Sequence, residues 1–273
     1  MAGTLSLVGT PIGNLGDMTP RAVETLQKVD FIAAEDTRVT AKLLNHFAIK
    51  KPMVSYYAHN IREQGERILE RLLAGENCAI VTDAGMPCIS DPGEDLVRLC
   101  AEAGIQMEVV PSASAVIAAL CVSGLPTARF SFEGFLSTTK KNRFAHLSEV
   151  CRLPHTLVFY EAPHKLRDTL ADLLEGLGNR RIAVVKELTK IHEQVFRGTI
   201  KAAMTQFEST VPKGEFVLVV EGAAPLKEDE MSLEDAIAFA RSRVEQGEKA
   251  AQAARQAAEL SGYKKSEIYR ALL

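Results

Sequence analysis

The stretch spanning residues 78–103 constrains the fold of this chain more than any other. Cys78, Ala79, Ile80 and Val81 form a short apolar run of small and β-branched residues, the pattern of a strand buried on both faces. Leu96, Val97, Leu99 and Cys100 then recur at helical spacing across residues 94–103. Between them lies Asp83-Ala84-Gly85-Met86-Pro87-Cys88-Ile89-Ser90-Asp91-Pro92-Gly93. Asp91 suits a helix N-cap, Pro92 the first helical position, and Glu94 the acid of a capping box. The segment therefore reads as strand, long turn and capped helix. Ligands of open α/β sheets bind beyond the carboxyl ends of strands, in turns of this kind. Gly85 would let backbone amides approach a ligand with no Cβ in the way. An ordinary βα connection rich in turn formers would look the same.

The alternation continues on both sides. Strand patterns at residues 4–8, 31–34, 52–57 and 106–110 are separated by helical ones. One helix carries Val23, Leu26 and Val29 on a face; another carries Ile68, Leu69, Leu72 and Leu73 behind an Asn60/Glu63 capping box. Residues 111–115 lead into a small-residue helix over 116–122. Strand and helix in turn are the signature of a mostly parallel sheet. Gly124-Leu125-Pro126 breaks the pattern, and a second α/β set follows. It has strands at 130–135, 156–160, 182–185, 193–199 (antiparallel through a short turn) and 214–222, the last a strong β run that suits a central strand. Helices fall over 140–150, from Leu166 onward, and up to Glu208. Residues 227–230 are charged and turn-like. From Ser232 the chain reads as an alanine-rich helical tail broken near 246–247 and 261–262. The expected organisation is two α/β domains, 1–123 and 124–226, with a helical tail over 227–273.

Composition excludes several classes. At 273 residues, 47% hydrophobic and 25% charged, the chain matches a globular protein with enough length for one large or two modest cores. No run of about eighteen apolar residues suggests a membrane span. The N-terminus enters a strand pattern at once, which leaves no signal peptide to expect. Five scattered cysteines form no C-x-x-C pair, so reduced core thiols and a cytoplasmic setting are expected; the six histidines show no metal-ligand spacing. A net charge of −3 gives no global pull toward nucleic acid. Basic residues nevertheless concentrate in the second half, in the stretches 137–152, 179–201 and 241–273. Most such runs are solvated faces. The glycines at 9, 13 and 16 match neither the dinucleotide fingerprint nor the P-loop. Glu35-Asp36-Thr37-Arg38 ends a strand, so it is a candidate for chemistry and, equally, for an N-cap with a salt bridge.

Seven ordered motifs together carry a resemblance. They are Gly9-Thr10-Pro11-Ile12-Gly13-Asn14-Leu15, Glu35-Asp36-Thr37-Arg38, residues 83–93, Glu133-Gly134-Phe135-Leu136, Tyr160-Glu161-Ala162-Pro163-His164, Lys186-Glu187-Leu188-Thr189-Lys190 and residues 214–222. Over nearly its whole length the chain resembles the tetrapyrrole-methylase-like (class III) S-adenosylmethionine methyltransferases. Within them it is most similar to the ribosomal RNA small-subunit methyltransferase I branch, which 2′-O-methylates a cytidine of 16S rRNA. It departs from the family at Pro111-Ser112-Ala113-Ser114, where Pro-Gly-Pro-Ser is usual, and at Lys165, where arginine is commoner.

The resemblance implies two α/β domains with S-adenosylmethionine in the cleft between them. It implies cofactor contacts from Pro11, Asp83, Gly85, Met86, Ser112 and Ala113 in the first half, and from Glu161, Ala162, Leu188 and Gly214 in the second. It also implies a homodimer, no membrane association, and 16S rRNA or the 30S subunit as partner. In-line methyl transfer needs alignment and a base for the ribose hydroxyl proton. Lys186, Glu187 and Asp36 remain open for that role, with Arg38 as a phosphate or orienting contact, since guanidinium does not deprotonate. Lys140, Lys141 and Arg143 are the expected RNA contacts. Two other readings stand beside this one: a precorrin-type methyltransferase of the same fold, and a non-catalytic RNA-binding assembly protein.

Overall fold

The computed structural model describes residues 1–208, 212–224, 232–245 and 247–272. The chain clusters into two compact units, Met1–Gly222 and Ala223–Leu273. The first unit holds two five-stranded sheets. Strands β1 (Thr4–Val8), β2 (Phe31–Ala34), β3 (Met53–Ser55), β4 (Cys78–Val81) and β5 (Gln106–Val110) are all parallel, in the order β3-β2-β4-β1-β5.

Side-chain alternation sorts the first sheet's helices onto its two faces. Leu5, Leu7, Phe31, Ala33, Cys78 and Ile80 pack with Ile68 and Leu72 of α3 (Ile61–Leu73) and with Leu96 and Cys100 of α4 (Glu94–Glu102). Val8, Ile32, Ala34, Ala79 and Val81 pack with Ala22 and Leu26 of α1 (Pro20–Lys28) and Leu44 of α2 (Thr37–His46). Neighbouring strands β1 and β4 thus send their chains to opposite faces. That is a topological switch point, where an open sheet leaves a crevice at its carboxyl edge.

The second sheet runs β6 (Phe130–Phe135), β7 (Thr156–Glu161), β10 (Phe216–Val220), β8 (Arg181–Lys186) and β9 (Gln194–Thr199) in spatial order. The pair β6/β7 is parallel and the other pairings are antiparallel. The central place expected for the last strand is where β10 lies, buried along its whole length. One face of this sheet packs on α6 (Lys140–Val150), α7 (Leu166–Leu177) and α8 (Ile200–Glu208). The other is covered by α5 (Ala115–Ser123), through Val116, Ala119 and Leu120 against Val158, Ala183, Val185, Val217 and Val219. Small side chains let this helix lie close on a β-branched sheet face. Ile12, from the loop after β1, joins the same cluster, so the two sheets share a core. All strands of the first sheet precede Gly124 and all strands of the second follow it.

Three local expectations are corrected. The α4 N-cap is Gly93, with φ 141° and no side-chain cap, so Asp91 is not the capping residue. Asn60 does cap α3 by position, but no capping box forms. Its side chain instead accepts from the Tyr57 amide (2.9 Å) and donates to the Ser55 carbonyl (3.0 Å). Arg143 is no free RNA contact: its Nε donates to Asp172 of α7 at 2.6 Å, and its Nη1 donates to the carbonyls of Ser137 and Thr138.

The second unit comprises α9 (Leu233–Glu245), α10 (Ala250–Ser261) and α11 (Lys265–Leu272), closed around five buried alanines and Ile268. Ser232 caps α9 by accepting from the Asp235 amide (3.0 Å), and left-handed Gly262 ends α10. The charged segment at 227–230, and Gln246 of the expected break at 246–247, lie outside the described residues. Among the described residues no helix is long and apolar enough to cross a membrane.

The Arg143–Asp172 pair, with side chains only 16% and 12% exposed, ties α6 to α7. Arg143→Ala should therefore cost about 3 kcal/mol, since it strands a largely buried carboxylate. Arg98→Ala removes an exposed pair with Asp95 and should change stability by less than about 0.5 kcal/mol. Denaturant unfolding of the two variants checks the contrast.

Candidate active site

The loops leaving β1, β4 and β5 are stitched together at the switch point. The Thr10 amide donates to the Gly85 carbonyl (2.8 Å) and the Gly85 amide to the Thr10 carbonyl (3.1 Å). The buried Thr10 hydroxyl donates to the Thr82 carbonyl (3.1 Å), and the Ser112 hydroxyl to the Thr10 carbonyl (3.3 Å). Gly85 sits at φ 87°, a conformation that side chains resist, so a Val there would strain the turn whether or not a ligand binds. In the same turn Cys88 (φ 73°) and Ser90 (φ 65°) are left-handed without being glycine, an arrangement concentrated at functional sites.

This edge opens into a cavity of about 360 Å³ in the first unit, within the range of small-molecule sites. Ile12, Gly85, Met86, Ser114 and Ala115 line it from one sheet's loops; Ala162, Val185, Leu188 and Val217 line it from the other. Glu35, Asp83 and Asp91 supply acid, and Tyr160 and Phe135 supply aromatic walls.

Of the expected cofactor residues, Asp83, Gly85, Met86, Glu161, Ala162 and Leu188 line the cavity. Pro11, Ser112, Ala113 and Gly214 each sit one or two positions from a lining residue and support the wall instead. Ser112 ties two loops, and Ala113 packs against the α5 cluster. Gly214 (φ 88°) leaves room for Glu187, whose carboxylate occupies the space a Cβ would need. The buried Glu161 carboxylate is occupied locally, accepting from the Ala162 amide (2.7 Å) and the Thr169 hydroxyl (2.5 Å).

The four residues expected to carry chemistry do not line the cavity. Asp36 is the N-cap of α2, accepting from the Arg38 amide (2.8 Å) and pairing with the Arg38 guanidinium (2.7 Å). These bonds hold its carboxyl down at about 2, which leaves it a poor proton acceptor. Glu187 accepts from Lys190 Nζ (2.9 Å) and from the Glu215 amide (2.9 Å), chiefly the former holding its carboxyl below the usual range. It is a brace between the ends of β8 and β10. Lys186 is half-buried at the end of β8, opposite Phe216, with no ion pair among the described residues. Arg38 points outward, its side chain 87% exposed.

Sequence reasoning missed Asp91 and Tyr160, and marked Glu35 only as part of the Glu35-Asp36-Thr37-Arg38 candidate. Thr82, itself buried, donates its hydroxyl to Glu35 (2.5 Å). Burial first, then the Glu35 charge, push Asp91 up to about 6. Burial, with Glu35 beside it, also raises Asp83. The Tyr160 phenol is pushed up to about 12, by burial and then by Asp91. All three residues stood inside quoted motifs; what hid Asp91 was its fitness as a cap. Among the described residues no cluster of three or more His, Cys, Asp or Glu could hold a metal ion. The acidic wall and the small-residue backbone wall together suit a ligand that carries positive charge and a flat heterocycle.

A family model described as Tetrapyrrole (Corrin/Porphyrin) Methylases matches residues 4–203. A Synechocystis sp. protein named ribosomal RNA small subunit methyltransferase I is 51% identical over 268 residues, covering 98% of this chain and 96% of the relative. A Haemophilus influenzae protein of the same name is 43% identical over 98% of this chain and 96% of the relative. Among solved structures, diphthine synthase superposes with TM-score 0.62 at 16% identity, covering 81% of this chain and 90% of that one. A cobalt precorrin-4 methyltransferase gives 0.59 at 18%, covering 79% and 94%. At such identities these structures speak for the fold alone.

Asp91 also sets a sign for stability against pH. Its folded value, about 6, lies above the ordinary 3.8, so the advantage of the protonated form is complete below about 3.8 and is lost as pH rises through 6. At pH 7.5 the native protein carries the penalty in full, about 2 kcal/mol after allowance for partial exposure. Asp91→Asn should unfold at higher temperature at pH 7.5, by about 2–4 °C per kcal/mol, with the gain vanishing near pH 4. Calorimetric scans across that range check it.

Proposed function

The chain belongs to the tetrapyrrole (corrin/porphyrin) methylase family and, within it, to the family of ribosomal RNA small subunit methyltransferase I, and on that premise we propose that it transfers a methyl group from S-adenosylmethionine to the 2′-oxygen of a cytidine ribose in 16S rRNA. The near full-length likeness to relatives of that name carries the reading, and the cavity at the switch point supplies a chemistry that suits it. Bound S-adenosylmethionine would supply a sulfonium methyl, an electrophile with a good leaving group. Asp83, Gly85, Met86, Glu161, Ala162 and Leu188 would hold it, with Pro11, Ser112, Ala113 and Gly214 fixing the shape of the walls behind. The carboxylates of Glu35, Asp83 and Asp91 favour the positive charge of the sulfonium and ammonium groups.

For RNA we keep Lys140 and Lys141, both exposed at the start of α6, and Arg38 at the edge of the acidic cluster. Arg143 leaves the set because it is committed to Asp172. A substrate that is part of the ribosome places the enzyme in the cytoplasm, acting on the 30S subunit or on free 16S rRNA. Domains 1–123 and 124–226 would each give one wall of the cofactor cleft. We also infer a homodimer. The helix α5 has no polar face, yet Ile117 is 50% exposed; Val109 on edge strand β5 (54%) and Phe130 on edge strand β6 (39%) are bare as well.

Incubation with labelled S-adenosylmethionine and either 30S particles or free 16S rRNA, followed by mapping, should find label on a cytidine 2′-oxygen. Label on a base, or none on either RNA, would contradict the reading. Changing Lys140 and Lys141 together to Ala should weaken RNA binding and flatten its log–log salt dependence by up to about 1.5 units, with cofactor affinity unchanged by calorimetry.

Sedimentation at micromolar concentration should return a dimer across moderate salt. Ile117→Asp should dissociate it if the apolar face is the contact.

A further inference from the structure

We propose that Asp91 is the general base of the reaction, taking the 2′-hydroxyl proton on its side-chain carboxylate. This rests on the proposed function and adds the catalytic residue it lacks. Four observations converge on Asp91. It lines the cavity, whereas Lys186, Glu187 and Asp36 do not. Its chain position is set by a costly backbone: Ser90 just before it is left-handed at φ 65°, and α4 begins only at Glu94, after Gly93. That arrangement gives up a good N-cap in order to point a carboxylate at the cavity. Asp36 and Glu187 are consumed by Arg38 and Lys190, while among the described residues Asp91 forms no salt bridge.

The fourth observation is the setting of that carboxylate. The Thr82 hydroxyl donates to Glu35 (2.5 Å) and, lying near Asp91, favours its ionised form, so the group waits in the cavity as a proton acceptor.

The groups facing Asp91 are Glu35 from the end of β2, Thr82 and Asp83 beyond β4, Tyr160 from β7, and Cys88 in its own loop. Arg38 reaches only Asp83 and Asp36. With burial, this surround of acids raises Asp91 into the range where a base is both unprotonated at neutral pH and strong enough to act. In the step, the 2′-oxygen forms its bond to the methyl carbon as the carbon–sulfur bond breaks. The O–H electron pair stays on oxygen and the proton passes to the Asp91 carboxylate. A sulfonium and a carboxylate become a neutral thioether and a carboxylic acid, so charge balances.

The test uses the full-length protein with 30S particles or free 16S rRNA, whichever accepts methyl from the wild type. Wild-type kcat/KM should rise with pH and level off above about 6. Asp91→Asn should lower kcat about 100-fold or more, lose that rise and keep KM for RNA, while calorimetric affinity for S-adenosylmethionine falls far less than kcat because Glu35 and Asp83 remain. Independently of turnover, carbon-13 NMR of aspartate carboxyls in the ligand-free wild type should show one resonance titrating near 6, absent from Asp91→Asn. Asp36→Asn should retain the pH rise.

An Asp91→Asn protein that is folded, active and still shows the rise would overturn the proposal. So would a loss of the rise in Asp36→Asn alone, or an Asp91 carboxyl that titrates near 4. A wild type that methylates no RNA would instead sink the proposed function, and the NMR titration would still decide whether Asp91 has the acidity assigned to it.

Discussion

Two backbone hydrogen bonds between Thr10 and Gly85 hold together the part of the molecule on which the rest depends. They join the loops of β1 and β4, the neighbouring strands whose chains leave to opposite faces of the first sheet. Without that tie the crevice would be a gap between two independent turns. With it, the loop after β1 is fixed where Ile12 can enter the core of the second sheet. The Ser112 hydroxyl extends the tie to the loop after β5, and so to the start of α5, the helix that covers the second sheet. One paired bridge therefore fixes the crevice and registers the two sheets against each other.

The edge so built concentrates what a folded protein usually avoids. Glu35, Asp36, Asp83 and Asp91 share one sheet edge, where the Arg38 guanidinium acts on Asp36 and Asp83. Like charges gathered in a half-buried site cost stability, and left-handed Cys88 and Ser90 add backbone strain. The chain compensates nearby with interactions that serve shape: Glu187 braced by Lys190 and the Glu215 amide, and buried Glu161 satisfied by Thr169 and the Ala162 amide. Carboxylates with complete partners stand beside carboxylates without them. That separation distinguishes scaffold from site here.

The sequence pattern carried the fold well, because burial writes itself as periodicity. The fully buried run of β10 reads as a central strand and lies at the centre of its sheet. The alternation of strands and helices up to residue 123 reads as a parallel sheet and is one. What the pattern could not carry was competition between equally good local partners. Asp91 and Asn60 are both fine caps, yet one faces a cavity and the other closes the turn behind it. Arg143 sits in a basic run, and only tertiary structure brings it to Asp172, 29 residues away along the chain. The alanines of α5 suit helix–helix contact as well as any other close packing, and only the fold shows that they rest on a sheet.

Glu35 and Asp36 show how far adjacency in sequence is from equivalence in chemistry. Both are carboxylates at the end of β2, one peptide unit apart. Successive side chains of an extended segment point to opposite sides, so only one of the two can face the crevice. Glu35 does, and takes the Thr82 hydroxyl. Asp36 turns to the opening of α2, where the Arg38 amide and guanidinium hold it ionised. Exchanging their roles would require a one-residue slip of β2 against β4, which would turn Phe31 and Ala33 out of one core and Ile32 and Ala34 out of the other. The division of labour between the two acids is thus enforced by the apolar register of the strand that ends in them.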